Sequence, residues 1–415
     1  MTFTPLHRAL GLSPSVLTDE ILDAAVAAGV SETDDLDWKS ELPPIKNISQ
    51  TDVPKDIAAM ANSGGGMIVY GVKESQKTAT GRVDAGEFTE GHERAYRSAA
   101  VTAISPPVFG LGVHRLGIDQ RAVAVVVPAS VDGPHLIYKN DLFGAPIRND
   151  ADTGWMRERQ VEAMYRARFD ERRRASDALD SLYEEASAGR DVKERAWLVA
   201  VAHPRVPAVL GRPDRDAARS SLKRAELITL SYSNRNGIHP LENIDVHNPR
   251  PGLRRWIAVN TATGERERWK EAWAEVHHDG SVTLAAAVGG HRMSADGYFD
   301  GWQVEGRGIE CCVADFAALI RAVAEGNTLD QYEVQVGIEW AGDEPLQILT
   351  VDGVGYVYDG VSTPLRQFTR VHSSINAASS DENFHREVFQ LAEDAVNQGG
   401  VSNLHVMSTP PVEDV

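Results

Sequence analysis

Cysteine is almost absent from this chain, since only the adjacent Cys311 and Cys312 occur among 415 residues. Neighbouring cysteines rarely bond to each other, and two thiols without further ligands make a poor metal site. This usage argues against a disulfide-stabilised secreted protein and favours a reducing cytoplasm. We expect both thiols to be buried as small apolar side chains.

Long hydrophobic runs are missing as well. No apolar stretch approaches the roughly 20 residues that cross a bilayer. The N-terminal residues MTFTPLHRALGL lack the basic region and uninterrupted apolar stretch of a secretory signal. The sequence therefore predicts a cytoplasmic protein without a membrane partner.

Positive charge is scarce overall, because 60 acidic residues outnumber 42 lysines and arginines and give a net charge of −18. Such a balance argues against coating nucleic acid by bulk electrostatics, but it permits a local basic groove. Residues 166–174 (RARFDERRR) form a dense cationic run. A solvated helix face is the simpler interpretation of this run, and a phosphate contact is the alternative.

Motifs of several enzyme classes are absent. The 13 histidines show no ligand spacing, and the chain contains no serine-hydrolase elbow, zinc-protease helix or Walker loop. The sequence thus offers no motif for these hydrolases or for a P-loop nucleotide site.

The length of 415 residues predicts two or three domains. A new β pattern begins at Ala196 after a polar joint at Gly189 to Asp191, so we place a boundary there. The predicted class is α+β, an N-terminal α/β domain followed by a second α+β domain. The predicted segments are a helical segment at 1–30, the α/β domain at 31–185, the α+β domain at 190–405 and a disordered tail at 406–415.

The segment from Lys55 to Val72 is the most informative one. It predicts an amphipathic helix over 53–62 that ends at glycine and turns directly into a strand over 67–72. Glycine loops cradle phosphates when they follow a strand and open a helix. Here the order is reversed, and the loop would meet the partially negative end of a helix. We therefore interpret Gly64 to Gly66 as a helix cap and tight turn, which leaves ATP binding as a minor alternative.

Charged residues around this segment form the first candidate site: Glu32, Asp37, Lys39 and Glu74. Mg²⁺ and Mn²⁺ prefer carboxylate oxygens. In an extended stretch Asp37 and Lys39 would share one face, which sets a metal-binding carboxylate beside a phosphate-binding lysine. Acidic residues in a polar joint are also commonly plain surface residues, and both interpretations stay open.

A basic and aromatic group forms the second candidate site. Arg148 and Arg157 would contact phosphates while Trp155 stacks on a base, and Asn62 would line the site. The alternative is an amphipathic helix packed on the domain with its arginines pointing outward.

A series of motifs across residues 30–170 resembles the Schlafen-type AlbA-like (AlbA_2) domain. The acid–aromatic–lysine element is Asp37-Trp38-Lys39. The helix end, glycines and strand that follow match over residues 60–74. The later elements are Ile104-Ser105-Pro106-Pro107, Val126-Val127-Pro128, Pro134 and Ile147-Arg148.

The resemblance implies a domain that binds nucleic acid, DNA or RNA, in a regulatory role or in defence against foreign nucleic acid. Schlafen members of the family include metal-dependent ribonucleases with three carboxylates, which would map onto Glu32, Asp37 and Glu74. The alternative function is therefore a metal-dependent endoribonuclease that holds Mg²⁺ or Mn²⁺ at these residues with Lys39 assisting. A protein-interaction module is a lesser alternative. The sequence leaves the oligomeric state open, a homo-oligomer included, and assigns no function to the C-terminal domain.

Overall fold

The computed structural model describes residues 3–118, 120–139, 142–208, 212–262, 265–293, 297–327, 329–351, 357–358 and 362–411. The chain divides into two compact units, Met1–Arg172 and Arg173–Val415. Both units combine helices with strands, so the α+β class is confirmed. The division falls earlier in the chain than the predicted joint at Gly189 to Asp191.

The first unit is built around a central sheet with helices on either side. Its helices are α1 (Pro5–Leu10), α2 (Asp19–Ala27), α3 (Val53–Asn62), α4 (Glu90–Thr102) and the start of α5 (Glu158–Ser187). Its strands are β1 (Leu36–Lys39), β2 (Gly66–Tyr70), β3 (Val72–Ser75), β4 (Thr78–Arg82), β5 (Ile104–Ser105), β6 (Gly112–Leu116), β7 (Ala122–Val127), β8 (Leu136–Lys139), β9 (Leu142–Gly144), β10 (Pro146–Asn149) and β11 (Asp152–Trp155).

The central sheet has the strand order β1-β2-β7-β6, with β1 parallel to β2 and the other pairs antiparallel. Alternate residues of β2 enter two different cores, because side chains alternate across a strand. Ile68 packs with α3 and α4, whereas Met67 packs with Leu6 and Leu22 of α1 and α2. Burial on both faces explains why β2 is a continuous apolar run. The segment predicted as separate at 1–30 thus supplies one layer of this unit.

The glycines after α3 cap the helix, in agreement with the structural interpretation. The Gly65 amide donates to the Met60 carbonyl over 2.9 Å. Gly65 has a φ of +91°, and a Cβ there would lie 2.7 Å from the Ala129 amide nitrogen. Only glycine fits this turn, which sends the chain directly from α3 into β2.

Two hairpins follow one another at the end of this unit. The first joins β8 and β9 and also pairs with β5, and the second joins β10 and β11. The second hairpin carries Arg148 and Trp155, two of the residues predicted to bind nucleic acid, and Arg157 follows it.

The second unit is built around a seven-stranded antiparallel sheet. Its elements after α5 are β12 (Trp197–Pro204), α6 (Arg215–Thr229), β13 (Arg250–Gly252), β14 (Arg255–Ala258), β15 (Ala272–His277), β16 (Val282–Ala287), β17 (Gln303–Glu305), α7 (Gly306–Asn327), β18 (Gln331–Glu339), β19 (Gln347–Val351), β20 (Val357–Tyr358), β21 (Val371–Asn376) and α8 (Asp381–Asn397). The sheet order is β13-β14-β15-β16-β12-β18-β21. Side chains of α6, α7 and α8 share its main core, and Cys311 and Cys312 of α7 are buried thiols.

The first residues of the predicted tail 406–415 are held against the second unit, and residues 412–415 lie outside the described part of the chain. The buried Glu310 carboxylate accepts backbone amide bonds from His405, Val406 and Met407. Val406 and Met407 are buried, so contacts hold residues 405–407 against α7. The sequence near the C-terminus gives no sign of this anchor, because the Glu310 carboxylate lies about 95 residues earlier in the chain.

Among the described helices, none combines the length and apolar character needed to cross a membrane.

Candidate functional site

Asp37 and Lys39 lie on the same face of β1, as their spacing predicts. The Lys39 Nζ and Asp37 Oδ2 atoms are 2.9 Å apart. Burial alone lowers the pKa of Lys39, but the carboxylates of Asp37 and Asp56 outweigh it, so that the pKa is raised. Lys39 is therefore a firmly charged partner of the buried Asp37.

Arg148 is the second cation on Asp37. The β10–β11 hairpin directs it inward, where Arg148 Nη1 donates to Asp37 Oδ1 over 3.2 Å and Nη2 donates to the Thr33 carbonyl over 3.0 Å. The side chains of Arg148 and Asp37 are only 3% and 6% exposed. A buried pair of this kind is held in place, because removing one partner leaves an uncompensated charge. The structure thus brings Arg148 to the acidic group and away from the surface.

Glu32 is the third buried member of this cluster. Its Oε1 accepts from the Trp38 amide over 3.1 Å, and its Oε2 lies 3.4 Å from Lys77 Nζ. Burial raises the pKa of Glu32, and the hydrogen bond from the Trp38 amide lowers it by less. The carboxylates of Asp37 and Glu74 raise this pKa further. The three predicted acids therefore share one electrostatic environment.

Glu74 differs from the other two acids because it is exposed on β3. Its Oε2 accepts from the Lys77 amide over 2.8 Å, across the tight turn that joins β3 to β4. This bond orients Glu74 toward its own hairpin. Lys77 also donates to Asp152 Oδ1 over 3.0 Å and so links the β3–β4 turn to β11.

The donor set does not fit a divalent metal ion as it stands. Both Asp37 oxygens face cations, and both Glu32 oxygens have donors or cations next to them. Over the residues that the structure describes, no group of three or more His, Cys, Asp and Glu side chains is arranged to hold a metal. Lysine and arginine side chains already pair with Asp37 and Glu32, and the three-carboxylate site stays a prediction.

Asn62 lies at the end of α3 with its amide turned into the protein. Its Nδ2 donates to the carbonyls of His135 and Pro146 over 3.0 and 2.8 Å, and its Oδ1 accepts from the His135 amide over 2.7 Å. Asn62 is buried and joins the end of α3 to the backbone at His135, just before β8, and at Pro146, the first residue of β10. Its amide is thus occupied by the backbone, whereas the sequence predicted a nucleic-acid contact.

Trp155 and Arg157 are the predicted binding residues that reach the surface. Trp155 ends β11 and is 55% exposed, and Arg157 is exposed at the start of α5. Within the described part of the chain, the Arg157 guanidinium has no ion pair or hydrogen bond; its backbone amide donates to Gln160 Oε1. The structure therefore divides the second candidate site into an inner arginine, Arg148, and an outer pair, Trp155 and Arg157.

Sequence reasoning missed two charged members of the cluster and an exposed aromatic pair. The Asp56 Oδ2 atom lies 3.9 Å from Lys39 Nζ, and burial raises the pKa of Asp56 to about 6. An acid on the buried face of the predicted helix 53–62 was the available signal. Lys77 offered none, because its turn uses a φ of +65° without glycine or asparagine. Tyr138 and Phe143 lie in a hairpin that the sequence pattern did not reveal.

The comparison with family models matches residues 32–157 to the family described as Schlafen, AlbA_2. This part of the chain is a Schlafen AlbA_2 domain. The match confirms the resemblance drawn from the motifs and supports placing the AlbA_2 domain in a nucleic-acid-binding family. It covers Glu32, Asp37, Glu74, Trp155 and Arg157 alike.

The other comparisons add little to the AlbA_2 assignment. The comparison with curated proteins yields no match. One similar solved structure is the crystal structure of the DIP2311 protein from Corynebacterium diphtheriae, at 15% sequence identity and a TM-score of 0.24. That match covers 50% of this chain and 33% of the other chain. A likeness at this TM-score supports no statement about fold or function.

Proposed function

We propose that the AlbA_2 domain binds nucleic acid, DNA or RNA, through the exposed Trp155 and Arg157. The observation that carries the proposal is the pairing of an exposed indole with an exposed guanidinium two residues away. An indole stacks on bases of any sequence, and an arginine neutralises a phosphate. The family assignment of residues 32–157 supports the same ligand class.

The buried cluster has a supporting role in this proposal. Arg148 is held by Asp37 and Thr33, and it also donates from its amide to Ser63 Oγ over 2.9 Å. These bonds fix β10, the partner strand of β11. Since Trp155 ends β11, the cluster positions the outer surface without touching the ligand.

The overall acidity of the chain makes a local contact more suitable than a broad one. With a net charge of −18, long-range attraction to nucleic acid is unfavourable. Affinity must then come from a few stacking and phosphate contacts at one surface. Loss of a single contact residue is therefore expected to have a large effect.

The test is a titration of fluorescein-labelled oligonucleotides, DNA and RNA, with the full chain and with Trp155→Ala and Arg157→Ala. Removing one stacking side chain costs about 1–3 kcal/mol, so Trp155→Ala is expected to weaken binding at least about fivefold. Trp155→Phe retains a stacking ring and is expected to recover most of the affinity. Arg94→Ala is the matched control, because Arg94 is an exposed arginine on α4 of the same unit.

Two results would contradict this assignment. One is the absence of binding to every oligonucleotide at low salt. The other is binding that Trp155→Ala and Arg157→Ala leave unchanged relative to Arg94→Ala.

The endoribonuclease alternative is tested by a further arm of the same experiment. Labelled RNA is incubated with and without Mn²⁺, beside an Asp37→Asn variant. Since Asp37 is occupied by Lys39 and Arg148, we expect binding without cleavage. Cleavage that requires Mn²⁺ and disappears in Asp37→Asn would establish the enzyme instead.

A further inference from the structure

Tyr138 and Phe143 form an exposed aromatic pair on the β8–β9 hairpin. They stand directly opposite each other in the hairpin register. Their ring centroids are 6.0 Å apart with the planes at 41°. Tyr138 is 63% exposed and Phe143 is 67% exposed, so each ring still presents area to the solvent.

The pair lies on the outer face of a small sheet whose inner face is fixed to the core. Ile104 of β5 and Ile137 of β8 pair across this sheet and are buried in the core of the first unit. Tyr138 follows Ile137 and therefore points to the opposite side. Single exposed apolar residues are ordinary, but two large rings in contact on a supported sheet face form a patch that calls for a ligand.

The strand that carries Phe143 adjoins the proposed contact surface, although Trp155 packs on the other side of β9, the side of Ile137, which pairs with Gly144. β9 passes into β10 through Ala145, whose carbonyl accepts from the Met156 amide over 2.8 Å. The Trp155 ring lies against Gly144, where a Cβ would come within 2.7 Å of the indole Cε3. Residues 155–157 are thus hydrogen-bonded and packed beside the strand that carries Phe143.

The charge at the start of α5, which follows β11, is suited to a polyanion. Arg157 follows Met156, and Arg159 lies two residues further on; both are exposed. Neither guanidinium has an ion pair within the described residues. Exposed aromatic rings and unpaired arginines on neighbouring segments of the chain together complement a strand that offers both bases and phosphates.

We propose that the Tyr138–Phe143 pair is a stacking platform for unpaired bases, which makes single-stranded DNA or RNA the preferred ligand of the domain. The inference rests on the proposed nucleic-acid binding and adds the class of strand. Bases inside a duplex already stack on one another, so their faces are unavailable to protein rings. Unpaired bases can lie on aromatic side chains, with the neighbouring phosphates directed toward Arg157.

The test compares one labelled oligonucleotide as a single strand and annealed to its complement, in DNA and RNA form. The full chain is expected to bind the single strand at least about tenfold more tightly, given one or two stacked bases. Tyr138→Ala and Phe143→Ala are each expected to remove most of this preference while leaving the weaker duplex binding in place. Tyr138→Phe and Phe143→Tyr are expected to retain the preference, because they keep the ring.

Folding is checked in the same variants by thermal unfolding, and exposed side chains are expected to leave the midpoint unchanged. Phe3→Ala is the matched control, since Phe3 is an exposed aromatic residue beside α1, which packs on the other face of the central sheet. Equal binding of single strand and duplex would overturn the platform, as would a preference that survives both alanine variants. In these cases Arg157→Ala would still weaken binding if the proposed function holds.

Two other outcomes separate the possible failures. If no nucleic acid binds, the proposed function fails and the platform fails with it. If the alanine variants change self-association in sedimentation and leave nucleic-acid binding intact, the pair is a protein contact and the platform is refuted.

Discussion

Asn62→Ala should reveal whether Asn62 supports the fold or contacts a ligand. The substitution removes three hydrogen bonds with the backbone of His135 and Pro146, at distances of 2.7 to 3.0 Å. Each bond contributes about 1 kcal/mol, and buried groups left without a partner cost about 1–3 kcal/mol. We therefore expect the first unit to lose roughly 3–5 kcal/mol of its free energy of unfolding.

The midpoint of thermal unfolding should fall accordingly. For a unit of this size, about 2–4 °C is lost per kcal/mol, so a drop of roughly 6–20 °C is expected. Asn62→Asp should be at least as harmful, because a carboxylate cannot donate to the two carbonyls that Asn62 serves.

The assay is hydrogen exchange across the α3 and β2 peptides of the full chain, which reports the first unit alone. Asn149→Ala is the matched control, because Asn149 is an exposed asparagine on β10. Unchanged protection in Asn62→Ala, combined with a loss of nucleic-acid affinity, would refute the structural role and restore Asn62 as a contact residue.

Three further predictions concern buried charges. Burial raises the pKa of Asp56 from 3.8 to about 6, so the first unit loses stability as the pH rises from 3.8 through 6. Asp56→Asn should remove this loss when urea unfolding is compared at pH 5 and pH 7.5. An identical pH dependence of stability in the parent and in Asp56→Asn would contradict this prediction. Burial lowers the pKa of His239, but the hydrogen bond and charge of Asp315 outweigh burial and raise that pKa to about 11. The His239–Asp315 pair therefore stabilises the second unit fully below pH 6.5 and less as the pH rises toward 11. His239→Gln should flatten that decline in urea unfolding followed by tryptophan fluorescence, and an unchanged decline would count against the pair. Glu310→Gln should speed hydrogen exchange at residues 405–407, because the carboxylate accepts their amides, and unaltered exchange there would show that other contacts hold this segment.

Local patterns predicted much of the framework. The helix at 53–62 agrees with the structure to the residue, and the strand predicted over 67–72 corresponds to β2 and the first residue of β3. These elements combine clear periodicity with glycine or polar ends, so local sequence determines them. The β8–β9 hairpin was missed because its strands are short and its apolar residues face outward as well as inward.

The candidate site was predicted in composition more than in arrangement. Asp37 and Lys39 pair as strand alternation requires. The inward course of Arg148 depends on β10 lying beside α3, a contact between segments that are far apart in sequence. No local pattern shows that Lys77 would occupy the space beside Glu32 where a metal had been expected.

The salt dependence of oligonucleotide binding tests the central claim most directly. Each neutralised phosphate contributes about 0.7 to the slope of log K against log salt for a single strand. The full chain should bind with a clear negative slope, and Arg157→Ala should bind more weakly with a slope smaller by about 0.7, whereas Arg94→Ala should match the parent. Binding whose strength and slope are the same in the parent and in Arg157→Ala would contradict the assignment of this surface.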